Sequence, residues 1–421
     1  MRKIVTSFAI AALAATTAAE AQERNASGTL ADGTEWSATV PDGWNGTLLV
    51  YGHGYSFKRG PAEEAPAQHR AELLRQGYAL AAANYGPGWA LDSAIPDQIE
   101  TVDAFAAKFG KPKRTIAYGM SMGALVTSGM VERPGNGLDG GIAFCGSIGG
   151  AVGMMNMALD GAYAFRTLLA PQSEIRLVGV DDDRVNGQRV ADVLAEAQKS
   201  PAGRARVTLA GVLAGIPGWT GGERPAEGDY DAQAAQIAKT FVMGVFLPRT
   251  DQEKRAGGVF SWNTGVAYGA QLAKSGRAEM VRALYRAAGL DLEADLATLD
   301  AGKRIAADPA AVQWMTANYT PNAKPLVPML AVQNVGDGMT SPSLQQAWLD
   351  AASRHAGGRN AQGLWLAAPG HCSFDTATVV DAIHVLEGRI ASGKWPAAPA
   401  RFVAYTPPPM LRPCVRGEKC R

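Results

Sequence analysis

The chain is short of several things at once, and each shortage closes off a class of function. Net charge is almost absent, with 40 Lys and Arg against 39 Asp and Glu, so no global field draws the chain to nucleic acid or to an anionic surface. Cysteines number four, and Cys414 and Cys420 have no histidine near them and no C-x-x-C spacing, which argues against a zinc centre. Beyond the first residues no apolar run approaches the roughly 18 residues of a membrane-spanning helix, so no integral span is expected. Repeats, heptads and long charge blocks are missing too. What remains is an ordinary globular composition, 47% hydrophobic over 421 residues, enough for one large core with an insertion or for two domains.

The N-terminus reads as an export signal. Arg2 and Lys3 precede an Ala-rich apolar run from Ile4, which ends at Ala19-Glu20-Ala21 before Gln22. The A-x-A pattern predicts cleavage after residue 21 and a periplasmic or secreted protein. In an oxidising compartment four cysteines allow two disulfides in three connectivities, of which Cys414 to Cys420 is the easiest to propose.

Two alternating segments around Asp32-Gly33 predict an opening hairpin, followed by a short buried strand over 47–51. That strand runs into Gly52-His53-Gly54-Tyr55. Helix and strand then alternate: helix 67–76, strand 78–84, a helix from 97 to 109 beyond Pro96, strand 113–117, and strand 140–145 after a helix over 124–131. This alternation predicts a parallel sheet with helices on both faces. Gly135 to Gly140 matches a dinucleotide glycine fingerprint, but it follows a helix and precedes a strand, the wrong order for a cofactor loop.

The stretch Gly119-Met120-Ser121-Met122-Gly123 falls on the predicted strand-to-helix turn. There a serine takes a strained backbone, and the two glycines leave room for strand and helix to pass closely. This stretch resembles the nucleophile elbow of the α/β-hydrolase superfamily. The resemblance implies an α/β-hydrolase sheet flanked by helices, with Ser121 as nucleophile. It implies an oxyanion hole from the backbone N–H groups of Tyr55, after the His-Gly pair, and of Met122. A strongly apolar strand over 326–335 ends at Asp337, the implied acid, with Asp350 on the next helix as its weaker rival. His371 lies on the loop after the last strand, 363–367, and completes the order Ser, Asp, His. Cys145 and Cys372 would both lie at the same edge of the sheet, which suggests a disulfide pinning the histidine loop.

Between about 147 and 322 the pattern is mainly helical and too long for a loop, so a helical cap inserted after strand six is expected. The core then comprises 22–146 and 323–421, and the Pro-rich tail from Trp395 is expected on the surface. Trp219, Phe260, Trp262, Tyr268 and the segment Met154 to Met157 are candidates to line an apolar pocket in the cap. The resemblance extends to secreted bacterial serine esterases and lipase-like enzymes, implying carboxylic ester substrates, small or lipid-like, with no metal or cofactor. A capped serine aminopeptidase is the alternative, with Glu174, Glu223, Glu227 or Glu253 clamping the free amine. An exported binding protein is a third reading.

Overall fold

A computed structural model describes residues 23–417 and Cys420, without the side chains of residues 356 and 357. The expected export signal lies outside the described residues. A hairpin opens the chain: β1 (Arg24–Thr29) pairs antiparallel with β2 (Glu35–Val40) around Asp32-Gly33. Next come β3 (Thr47–Gly52), α1 (Ala67–Arg75), β4 (Ala79–Ala83), α2 (Leu91–Phe109), β5 (Arg114–Met120), α3 (Met122–Val131) and β6 (Gly140–Phe144). The sheet resumes with β7 (Met329–Gly336), α13 (Pro342–Ser353), β8 (Ala361–Pro369), α14 (Thr376–Ser392) and β9 (Phe402–Val403). Its order is β1-β2-β4-β3-β5-β6-β7-β8-β9, with β3 to β8 parallel and β2 and β9 antiparallel to their neighbours.

Strands β3, β4 and β6 are buried along their whole length, as a sheet covered on both faces requires. Their side chains divide by strand periodicity. Leu48 and Val50 pack with α2, α3 and α13 on one face, through Leu91, Leu125 and Trp348. Leu49 and Tyr51 face the other way, towards Leu73 of α1 and Ile383 of α14.

Between β6 and β7 the described chain is helical: α4 (Ala151–Leu169), α5 (Asp183–Ala197), α6 (Pro201–Leu213), α7 (Tyr230–Val245), α8 (Thr250–Ala256), α9 (Tyr268–Lys274), α10 (Ala278–Ala287), α11 (Leu292–Ala301) and α12 (Pro309–Tyr319). These helices share a core of their own, in which Phe165, Leu209, Phe241 and Tyr285 are buried together. Asp182, Ser200, Asp229, Asp291 and Asp308 cap five of them, each accepting backbone N–H groups of the first turn.

Two expectations are corrected. Helix α2 begins at Leu91 and runs through Pro96, because Leu91, Ala94 and Ile95 bury an apolar face on the sheet before the proline is reached. The tail does not stay on the surface: Met410, Leu411, Cys414 and Val415 are buried in the same core as Leu48 and Val50 of β3. Arg412 goes in with them, 1% exposed, because Asp160 of α4 meets its guanidinium at 2.8 Å.

Candidate active site

Ser121 stands between β5 and α3 at φ 57° and ψ −119°, a backbone that side chains other than glycine's rarely adopt. Its own N–H donates to Phe144 O at the end of β6, at 3.0 Å, which fixes the turn against the neighbouring strand. The glycines around it are needed for space. A Cβ on Gly119 would lie 2.1 Å from Gly123 O, and one on Gly123 would lie 1.9 Å from Gly52 O. The loop after β3 therefore presses directly on the serine turn.

In that loop a Cβ on Gly54 would come 3.4 Å from Ser121 Cβ. The His53 ring stacks on Tyr85 with centroids 3.9 Å apart, while the Tyr85 hydroxyl donates to His53 O at 2.5 Å. Burial lowers the His53 pKa, which favours a neutral ring whose Nδ1–H donates to Gly54 O at 2.7 Å. In a trans peptide the N–H points opposite to its C=O, so anchoring Gly54 O also fixes the direction of the Tyr55 N–H. Tyr85 was not singled out from the sequence.

His371 follows Gly370 on the turn after β8. Gly370 N donates to Gly336 O at 3.0 Å and its own O accepts from Asn334 Nδ2 at 2.9 Å, tying the turn to β7. The imidazole spans the two other candidates: Nε2 lies 2.9 Å from Ser121 Oγ, and Nδ1 lies 2.8 Å from Asp337 Oδ2. With the proton on Nδ1, Nε2 is free to accept from the serine hydroxyl.

Asp337 has no exposed surface, and donors surround it. The N–H groups of Met339 and Thr340 donate to Oδ1 at 2.9 and 3.0 Å, and Gln333 Nε2 donates to Oδ2 at 3.1 Å. Thr340 Oγ1 lies 2.9 Å from Oδ2 and 2.8 Å from Cys145 O, and can donate to one of them at a time. Gln333 and Thr340, which hold the Asp337 carboxylate, were not singled out from the sequence; for Gln333 an amide in the middle of a wholly buried strand was the available signal. Beyond it the β7–β8 register shifts between Asn334 and Gly336, and the bend delivers Asp337 to the imidazole. The rival Asp350 is away on α13, accepting from Gln346.

Cys145 and Cys372 form a disulfide, with Cα atoms 5.3 Å apart, and Cys414 pairs with Cys420. Cys372 Sγ lies 3.4 Å from His371 Nε2, so the first bridge touches the imidazole. Both of its cysteines have a positive φ, 46° and 54°.

A cavity of about 440 Å3 opens at Ser121 and His371. Tyr55, Trp89 and Met120 wall it from the sheet side, and Met154, Met243 and Leu247 from the helical segment. Phe57 and Met243 stand exposed among its lining residues. No charged side chain lines it among the described residues. Of the pocket candidates read from the sequence, only Met154 reaches this cavity. Phe260 and Tyr268 are fully buried core residues, Met155 and Met157 are core as well, Trp262 lies under Arg412, and Trp219 lines a different cavity. Glu253 pairs with Arg249 and Glu174 with Arg189, and neither these nor Glu223 and Glu227 line the Ser121 cavity.

No family model matches the chain. A curated relative, o-phthalyl amidase of Xanthobacter agilis, is 27% identical over 404 residues, covering 88% of each protein. Among solved structures, an esterase of Pyrococcus furiosus overlaps 89% of this chain and 92% of its own at 13% identity and a TM-score of 0.41. A feruloyl esterase B from Aspergillus oryzae overlaps 89% and 81%, at 13% identity and a TM-score of 0.40. The strand order, the antiparallel β2 and the serine turn between β5 and α3 give this chain the α/β-hydrolase fold.

Proposed function

We propose that the chain is a serine hydrolase that cleaves carboxylic esters through an acyl-enzyme. The observation that carries this reading is the unbroken hydrogen-bonded line from Ser121 Oγ through the His371 ring to buried Asp337. Ser121 attacks the carbonyl as His371 Nε2 takes its proton, and Asp337 holds the Nδ1–H tautomer and stabilises the imidazolium. The N–H groups of Tyr55 and Met122 receive the oxyanion. The anchored Gly54 carbonyl and the position of Met122 at the start of α3 support this role. His371 then returns the proton to the leaving alcohol and activates water for deacylation. The acyl group occupies the uncharged cavity, and the helical segment acts as a cap through Met154, Met243 and Leu247.

A second reading, amide hydrolysis, is favoured by the likeness to o-phthalyl amidase. It uses the same groups, with His371 protonating an amine instead of an alcohol. Among the described residues no carboxylate lines the cavity, which gives an aminopeptidase clamp no support. Export to an oxidising compartment accords with the N-terminal signal pattern and with the two disulfides. No helix among the described residues is long and apolar enough to cross a membrane.

The test is hydrolysis of nitrophenyl esters of graded chain length beside matched nitroanilides, with Ser121→Ala in parallel. Ester turnover that falls by roughly 10^4-fold or more in the variant is the expected result. Anilide turnover in preference to ester would establish the amidase reading, and an unaffected variant would remove Ser121 from the chemistry.

A further inference from the structure

A second cavity, of about 700 Å3, lies between the helical segment and the C-terminal tail and shares no lining residue with the Ser121 cavity. Its size suits a small organic ligand. The loop around Trp219, the start of α7 at Tyr230, the start of α10 at Met280 and the tail at Tyr405 enclose it, and Val335 of β7 also lines it.

Two guanidinium groups face this space. Arg277 is largely buried, and among the described residues no carboxylate acts on it. Its Nη1 donates to Ile216 O, while its Nε is buried without an acceptor among them. Burial lowers its pKa to about 10, against an opposing pull from the Tyr405 hydroxyl. Arg224 lies with its guanidinium carbon 5.6 Å from the centre of the Trp219 ring. Arg224, Arg277 and Tyr405 line the cavity together, and both guanidinium charges oppose the rise that burial gives the Tyr405 pKa. Of the two glutamates lining the cavity, Glu279 is paired with Arg286 at 2.9 Å, and Glu227 is exposed. A buried cation without a counter-charge is costly, and an anion entering beside it would relieve that cost. The surrounding rings of Trp219, Tyr230 and Tyr405 offer faces for a flat apolar body.

We infer that this cavity is a binding site for an aromatic carboxylate, its carboxylate held by Arg277 and Arg224 and its ring packed against Trp219 and Tyr405. The loop that forms its wall also reaches the acid's strand: a Cβ on Gly336, beside Asp337, would lie 2.7 Å from Trp219 O. Thr220 of this loop is tied to α7 through Gln236 O at 2.7 Å.

The experiment is calorimetric titration of the full-length protein with benzoate, with benzamide as its neutral counterpart and with inorganic phosphate. One benzoate per chain is expected, with benzamide and phosphate at least tenfold weaker. Arg277→Gln and Arg224→Gln should each weaken benzoate at least tenfold, while Arg277→Lys retains most of the affinity. Ester hydrolysis should stay within twofold of the parent in Arg224→Gln, which separates this site from the Ser121 cavity. Absence of saturable benzoate binding would overturn the inference. So would binding that both glutamine variants leave unchanged, or phosphate binding as tight as benzoate. Should Arg277→Gln not fold by circular dichroism, the exposed Arg224→Gln decides alone.

Discussion

Ser121 carries strain that no hydrogen bond removes, since a non-glycine residue at φ 57° costs on the order of 1–3 kcal/mol. Ser121→Gly and Ser121→Ala should both abolish hydrolysis on the proposed mechanism. The glycine variant should be the more stable by about 1 kcal/mol, read as a higher melting temperature, because only glycine relaxes at that φ. A second strained cost is electrostatic. Burial first, then the carboxylates of Asp32 and Glu100, push the Asp97 pKa up to about 6. Its folded value is above its unfolded one, so the native state keeps a proton that the unfolded chain loses, and stability falls as pH rises between about 4 and 6. Asp97→Asn should therefore gain about 1–2 kcal/mol over the parent at pH 7 to 8, with the gap closing below about pH 4 in urea melts. At this scale the meeting of Ser121, Asp337 and His371 was legible because each follows a strand and their chain order is informative. Gln333, Thr340 and Tyr85 were not, since hydrogen-bond partners brought together by the sheet leave no spacing to read.

Among the elements, the histidine turn depends most on its cross-link. The Cys145–Cys372 bridge closes 227 residues and joins the end of β6 to the turn after β8. Replacing both cysteines with alanine should cost about 2–5 kcal/mol in thermal unfolding. It should also lower turnover roughly ten- to a hundredfold at temperatures where the variant is still folded, because His371 would lose its neighbour on one side. A purely structural bridge would lower the melting temperature and leave the turnover of folded protein intact. Element boundaries were read with most success where burial is continuous, as in β3 and β6. They failed at α2, where the apolar face of Leu91, Ala94 and Ile95 outweighed the signal of Pro96. They failed also at β9, whose two residues pair with Trp365 and Leu366 and are too few to leave a pattern.

For the whole molecule, the tail is a fastening between the sheet and the helical segment. Arg412 and Asp160 are each 2% exposed in their side chains, and Arg412 also donates to Trp262 O at 3.1 Å. Arg412→Met should destabilise by about 3–5 kcal/mol because it leaves Asp160 buried without its charge partner. Adding Asp160→Asn should recover a large share, a comparison that chemical denaturation of the two variants can make. The Pro-rich composition of the tail concealed this role, since only the apolar Met410 and Leu411 beside the arginine hint at burial. The helical insertion was readable as helices but not as a binding surface. A bulky apolar residue that packs the segment's own core looks the same in sequence as one that faces a substrate.

The split of the sheet bears on how the protein is made. β6 pairs with β7 through Gly141 and Met329, so its outer edge stays open while the nine intervening helices leave the ribosome. An unpaired apolar strand edge is a template for other chains, and closing so long a loop is slow. The first half of the sheet must therefore be shielded until its second half arrives, and production should respond to chaperone supply more sharply than the equilibrium stability of the finished molecule would suggest.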